Sequence, residues 1–172
     1  MALIFKAEED TPYVKLSEDG KISIEGRSMP ENVTVFYDPI IDWVKEYAKN
    51  PSEVTEVFVF LYYTNSCSFK SINTLLKELK KSEDKTKIEV VWYYEEDDQS
   101  MKETGEDMQS LVGLPFTFHA EPVKKLTNKR LKVRNTITGK ISRITQRYWD
   151  LIVRNGHKKD FEVLEDPNNQ EF

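Results

Sequence analysis

Residues 57–70 constrain this chain more than any other stretch. From Val57 to Tyr63 every side chain is apolar or aromatic, the pattern of a strand buried on both faces of a largely parallel sheet. The run breaks at Thr64, Asn65, Ser66, Cys67 and Ser68. From Phe69 onward Ile72, Leu75, Leu76 and Leu79 recur at helical spacing. The stretch therefore reads as a strand that passes through a small polar turn into the N-terminus of a helix. The first N–H groups of a helix lack intrahelical acceptors and carry a partial positive charge, so such a turn suits an anion, for example a phosphate. Ser66 and Ser68 place hydroxyls there. On local pattern alone the commoner role of such a serine is to cap the helix.

The rest of the chain arranges itself around this element. Residues 1–10 read as a loose lead-in. Tyr13–Leu16 and Lys21–Ile24 alternate about Ser17-Glu18-Asp19-Gly20, a hairpin with glycine at the turn. A helix comes next, with Phe36, Ile40, Ile41, Val44 and Tyr47 on one side and Asp38-Pro39 in its first turn, where proline is tolerated; Asn50-Pro51-Ser52 ends it. Lys87–Tyr94 is a further strand. Glu95-Glu96-Asp97-Asp98 opens a more polar helix, acids at its favourable end, with Met101, Met108, Leu111 and Val112 facing inward. Leu114–His119 is a short last strand. The aromatic set Tyr62, Tyr63, Trp92, Tyr93 and Tyr94 reads mostly as core, with alternate residues facing helices on opposite sides of the sheet. Strands alternating with helices after a hairpin define an α/β fold, a mixed sheet with a parallel core. In such sheets functional groups gather beyond the carboxyl ends of the strands, where the Ser66 turn falls.

Charge divides the chain. Residues 1–120 carry 13 Lys and Arg against 23 Asp and Glu, whereas residues 121–172 carry 12 against 7. All twelve of those cations lie between Lys124 and Lys159, with Asp150 the only acid among them. The break places a boundary near Glu121-Pro122, with one domain over 1–121 and a basic C-terminal extension over 122–172. In the extension, residues 131–135 and 140–144 flank Thr136-Ile137-Thr138-Gly139 as a hairpin. Thr145 caps a helix bearing Tyr148, Trp149, Leu151 and Ile152, which Asn155-Gly156 stops, and Phe161–Leu164 forms a short strand. The result is a small α+β piece, with a frayed acidic end. Trp149, Leu151 and Ile152 read as the buried side of that helix, so its cations suit docking on the chain's own acidic domain or on an acidic partner or membrane surface; Arg143, Arg147, Tyr148, Trp149 and Arg154 are the set a nucleic acid would need, and that partner is the less expected one. A chain ending after Glu121 is expected to fold by itself.

The composition excludes several chemistries. There is no P-loop, no glycine-rich dinucleotide fingerprint and no Gly-x-Ser-x-Gly elbow. Only His119 and His157 are available as imidazole bases, and neither joins a cysteine cluster of zinc-site spacing. The acidic run 95–98 reads as a solvated helix start rather than a metal site. Cys67 cannot form an internal disulfide, which points to a reducing cytoplasm; beside a strand end it reads as a small buried residue. No run is long and apolar enough for a membrane-spanning helix. No cofactor or metal is expected, and the chain reads as non-enzymatic.

Met29-Pro30-Glu31-Asn32, Ile41-Asp42-Trp43-Val44, the segment Leu61–Lys70, Val91-Trp92-Tyr93-Tyr94 and Leu114-Pro115-Phe116, in this order, resemble the SiaC family of bacterial regulatory phosphoproteins over about residues 11–120. The resemblance implies a fold similar to the SpoIIAA-like, or STAS-like, anti-sigma-factor antagonists. It implies a Ser/Thr kinase and a PP2C-type phosphatase as partners, and a diguanylate cyclase bound and activated by the unphosphorylated form. The family's acceptor Thr directly follows the motif Asn, and that position here is Ser66. Thr64, Asn65, Cys67, Ser68 and Lys70 would surround it, and residues 29–32 form a family-motif loop. A phosphoryl group at Ser66 would add about −1.5 to −2 charges at a helix N-terminus and repel an acidic partner surface. The alternative reading of the same cleft is a small anionic-ligand or nucleotide-binding module, or partner binding of the anti-sigma-factor-antagonist kind. The resemblance does not reach residues 121–172.

Overall fold

The computed structural model describes residues 2–122 and, beyond them, 130–136, 139, 141–145, 149, 153 and 158–165. Two compact units divide the chain, Met1–Pro122 and Val123–Phe172.

The first unit is one six-stranded sheet, ordered β1-β2-β3-β4-β5-β6. Its strands are β1 (Ala2–Phe5), β2 (Tyr13–Ser17), β3 (Lys21–Ser28), β4 (Val54–Thr64), β5 (Lys87–Glu95) and β6 (Phe116–Glu121). β1, β2 and β3 pair antiparallel; β3 to β6 are parallel. The N-terminal hairpin and parallel core are those the pattern predicts. The lead-in is not loose: Ala2–Phe5 pairs with β2 as the edge strand, from Ala2 opposite Ser17 to Phe5 opposite Val14. Four apolar residues are too short a run to declare a strand, but a preformed neighbour offers them a ladder, and Phe5 packs edge-on against Phe36 at 5.9 Å. Gly20 turns the β2–β3 hairpin at a φ of 92°. A Cβ there would run into the Val54 carbonyl, so the position requires glycine for space as well as for its dihedral.

Three helices cross between the parallel strands: α1 (Val33–Tyr47), α2 (Ser66–Lys80) and α3 (Gln99–Val112). They lie side by side on one face of the sheet, α1 against α2 and α2 against α3. The strand residues that share their core belong to one alternation: Val57, Val59 and Leu61 of β4, and Ile88, Val90 and Trp92 of β5. This corrects the expectation of helices on both sides. The opposite alternation, including Phe58, Phe60, Val91 and Tyr93, is half-buried. Its aromatic rings cover one another, Phe58 on Tyr93 at 4.7 Å and Tyr93 stacked on His119 at 4.9 Å. A run apolar on both faces thus arises here without a second layer of helices among the described residues of the first unit. Of the aromatic set only Trp92 is fully buried; Tyr63 is 41% exposed.

Local chemistry shifts several helix boundaries. Asn32 caps α1 by accepting from the Val35 N–H at 3.1 Å, so Pro39 falls inside the helix and not in its first turn. In α3, Asp98 is the cap, accepting from Met101 N–H at 2.9 Å; Glu95 still belongs to β5. Met101, Gly105, Met108 and Val112 form the buried stripe, while Leu111 is 55% exposed. Position 111 is only one residue from 112, and adjacent helical residues point about 100° apart.

The second unit is a three-stranded antiparallel sheet, β8-β7-β9, of β7 (Arg130–Asn135), β8 (Ile141–Thr145) and β9 (Phe161–Glu165), with a 3-10 turn at Lys158–Asp160. Leu131 and Val133 are its buried centre, with Trp149 and Phe161 packed on them. Trp149 and Val153 are helical; Tyr148, Leu151, Ile152, the Asn155-Gly156 stop and the acidic end lie outside the described residues.

Candidate functional site

β3 and β4 end together at the carboxyl edge of the sheet, Ser28 opposite Thr64. Just before that edge the register slips. Gly26 pairs with Leu61 but Arg27 pairs with Tyr63, so Tyr62 is an extra residue, a bulge that bends the strand and re-aims Tyr63 and Thr64. The chain leaves β4 through Asn65, whose N–H donates to the Ser28 carbonyl at 3.2 Å. Its extended backbone, φ −95° and ψ 169°, then turns into α2.

Asn65 does the capping that the sequence pattern assigns to a serine. Its side-chain oxygen accepts from the Ser68 N–H at 2.8 Å and its carbonyl accepts from the Phe69 N–H at 2.9 Å. A short amide side chain in an extended residue is well suited to this. Ser66 is consequently the first helical residue, with its side chain exposed. Cys67 is also exposed, correcting the reading of a buried thiol: the second helical position points away from the core once Asn65 sets the phase. Ser68 is fully buried, and its Oγ has no hydrogen-bond partner among the described residues. Lys70 is exposed, and half-buried Thr64 donates weakly to the Asn65 carbonyl, at 3.4 Å. The six candidate residues 64–68 and 70 are therefore sorted by helix phase: one hydroxyl outward at 66, one inward at 68. Asn65→Ala should cost about 1 kcal/mol, seen as a lower unfolding midpoint with faster amide exchange confined to the first turn of α2.

The motif loop brings a second helix N-terminus to the same edge. Met29 N–H donates to the Asp10 carbonyl at 2.8 Å, Pro30 is buried, Glu31 is exposed, and Asn32 caps α1. Since α1 packs on α2, two asparagine-capped N-termini lie at one end of the sheet. Around them the structure assembles residues with no sequence signal. Arg27 Nε bonds Asp10 Oδ1 at 2.9 Å, and its guanidinium lies 4.6 Å from the Tyr63 ring centroid. Tyr37, on α1, is fully buried and hydrogen-bonded to Ser28 Oγ at 2.7 Å. Burial holds its phenol well above the ordinary tyrosine range, against the opposing pull of the Ser28 and Ser68 hydroxyls. Side chains so far apart in sequence meet only through the parallel crossover, which no local pattern encodes.

Residues 5–121 match the SiaC family regulatory phosphoprotein profile. The chain belongs to the SiaC family. An uncharacterized Pseudomonas aeruginosa (strain UCBPP-PA14) protein is 26% identical over 114 residues, which is 65% of this chain and 90% of the relative. The fold is that of apo-SiaC from Pseudomonas aeruginosa, at a TM-score of 0.63 and 24% identity, covering 70% of this chain and 99% of the other. SiaC in complex with the diguanylate cyclase SiaD, which it activates, superposes equally well: TM-score 0.63 and 24% identity over 69% of this chain and 99% of the other. The family match ends where the first unit ends. Among the described residues, no helix is long and apolar enough to cross a membrane.

Proposed function

We propose that this SiaC-family protein is a non-enzymatic phospho-switch of the cytoplasm whose acceptor is Ser66. The observation that carries the reading is the position of one hydroxyl: in a family of regulatory phosphoproteins, Ser66 is exposed at the first position of α2, immediately after the capping Asn65. A kinase active site needs a hydroxyl it can surround, and Ser68, two residues on, is fully buried. The free N–H groups of the first turn favour the added negative charge. At the same edge Val35 is 71% and Tyr63 41% exposed. The partner, by likeness to SiaC, is a diguanylate cyclase bound when Ser66 is free and released when it carries phosphate, with a Ser/Thr kinase and a PP2C-type phosphatase setting the balance. In this reading residues 1–121 hold the switch and the basic unit is an addition to it.

Mass spectrometry of the protein purified from its own cells should place phosphate on Ser66, and Ser66→Ala should abolish it. Phosphate found on Ser68 alone, or persisting undiminished in Ser66→Ala, refutes the assignment.

A further inference from the structure

Among the described residues the two sheets end in β1 and β6 and in β8 and β9, and of these edge strands only β1 lacks charge. β6 contains His119 and Glu121 and lies between Pro115 and Pro122. β8 contains Arg143, and β9 contains Glu162 and Glu165. Charges and prolines of this kind keep an exposed ladder from pairing with another strand. β1 reads Ala-Leu-Ile-Phe, pairs with β2 in an unbroken register and has no strand on its other side among the described residues. Its outer row of N–H and C=O groups is accompanied by apolar surface on both faces, with Leu3 41% and Ile4 40% exposed.

The register of β1 on β2 decides what can complete that ladder. Leu3 lies opposite Leu16 and Phe5 opposite Val14, on the face that holds the helices, where Phe5 meets Phe36; Ile4 lies opposite Lys15 on the other face. Two copies of one edge strand pair antiparallel about a two-fold axis perpendicular to the sheet, so residues directly opposed must share a face and be both odd or both even in number. With the axis at Ile4, that residue faces Ile4 of the second copy, and Leu3 faces Phe5 of the second copy. Each row on the helical face then runs from Leu16 and Leu3 to Phe5 and Val14 of the second copy, apolar throughout, so the core of one copy continues into the other. On the opposite face the two Ile4 side chains meet between the two Lys15. An axis at Leu3 would instead set Ala2 against Ile4 and leave Phe5 outside the paired residues. The complementarity is of this strand to itself, which an isologous dimer requires and a strand of unrelated sequence does not supply.

We propose that β1 is a dimerisation edge, pairing antiparallel about Ile4 with β1 of a second copy and joining two six-stranded sheets into one. The two-fold turns one copy end for end, so the two Ser66 turns lie at opposite ends of the joint sheet. The pairing does not depend on the role of Ser66. A four-residue edge is small beside the usual protein interface, so the dimer forms and dissociates with concentration.

Sedimentation velocity of the full chain over rising concentration should show a monomer–dimer equilibrium. Ile4→Lys should raise the dissociation constant ~10-fold or more, because it sets two lysines directly against each other. Ile4→Glu should also weaken the dimer. An equal mixture of the two variants should associate more tightly than either alone, since a lysine then faces a glutamate; this rescue is specific to a register in which residue 4 meets residue 4. If either variant does not fold, hydrogen exchange of the parent decides: amides of residues 2–5 should gain protection as concentration rises while those of β6 do not. A parent that stays monomeric at every concentration, a dimer undisturbed by Ile4→Lys, a mixture no tighter than the single variants, or exchange in β1 that ignores concentration overturns the proposal.

Discussion

Gly105→Ala is expected to destabilise the protein by about 1–3 kcal/mol, although the same change in an exposed helix stabilises by roughly 0.5–1 kcal/mol. A Cβ at 105 would lie 2.6 Å from Trp92 Nε1, 2.7 Å from Trp92 Cε2 and 2.8 Å from Phe118 Cε1. All three atoms belong to rings of the sheet on which α3 rests. The Trp92 indole cannot swing away, because it is fully buried and its N–H donates to the Met101 carbonyl at 3.1 Å. The helix must lift instead, and Met101, Met108 and Val112 lose contact with the core together. Urea unfolding should show a lower midpoint at unchanged slope. A stabilised variant would mean that α3 is not held where Trp92 places it.

The other large effect is on binding. Phosphoserine at 66 should weaken association with the diguanylate cyclase proposed as partner by ~5–150-fold, the range of ordinary coupling free energies of about 1–3 kcal/mol, while leaving the unfolding midpoint nearly unchanged. Both parts follow from position. The group is exposed, so it displaces no core atom, and a helix N-terminus favours negative charge by about 0.3–1 kcal/mol. The cost falls on the partner, which must accept about −1.5 to −2 additional charges on a region whose residues 1–120 already carry ten more acids than bases. Ser66→Asp, with one charge and two oxygens, should weaken binding less. Calorimetry of the three forms gives the order; equal affinity of the free and phosphorylated chains would sink the switch.

Much of this was legible before the fold was known, because it is local. An apolar run, a break at Asn65 and a 3.6-residue period from Phe69 specify a strand, a turn and a helix in that order. Glycine at 20 specifies the hairpin turn. The alternation after residue 26 specifies crossovers and a parallel core. The family resemblance added the proposed role of the position after Asn65, and the family itself is shown by the match over residues 5–121.

The errors share a different cause. Pro39, Cys67 and Leu111 each depend on helix phase, and phase is set by where the helix begins. At a run of Thr, Asn, Ser, Cys and Ser, five neighbours compete for the cap. The bulge at Tyr62 and the Asn65–Ser28 hydrogen bond decide it, and both require β3 to lie beside β4. Whether helices cover one face or two depends on the strand order, since right-handed crossovers that step always to the next strand keep every helix on the same side. The sequence by itself determined the elements and the chemistry carried to the sheet's edge. Only the tertiary structure decided that Ser66 is exposed and Ser68 buried, because that choice is made by hydrogen bonds between residues far apart in the chain.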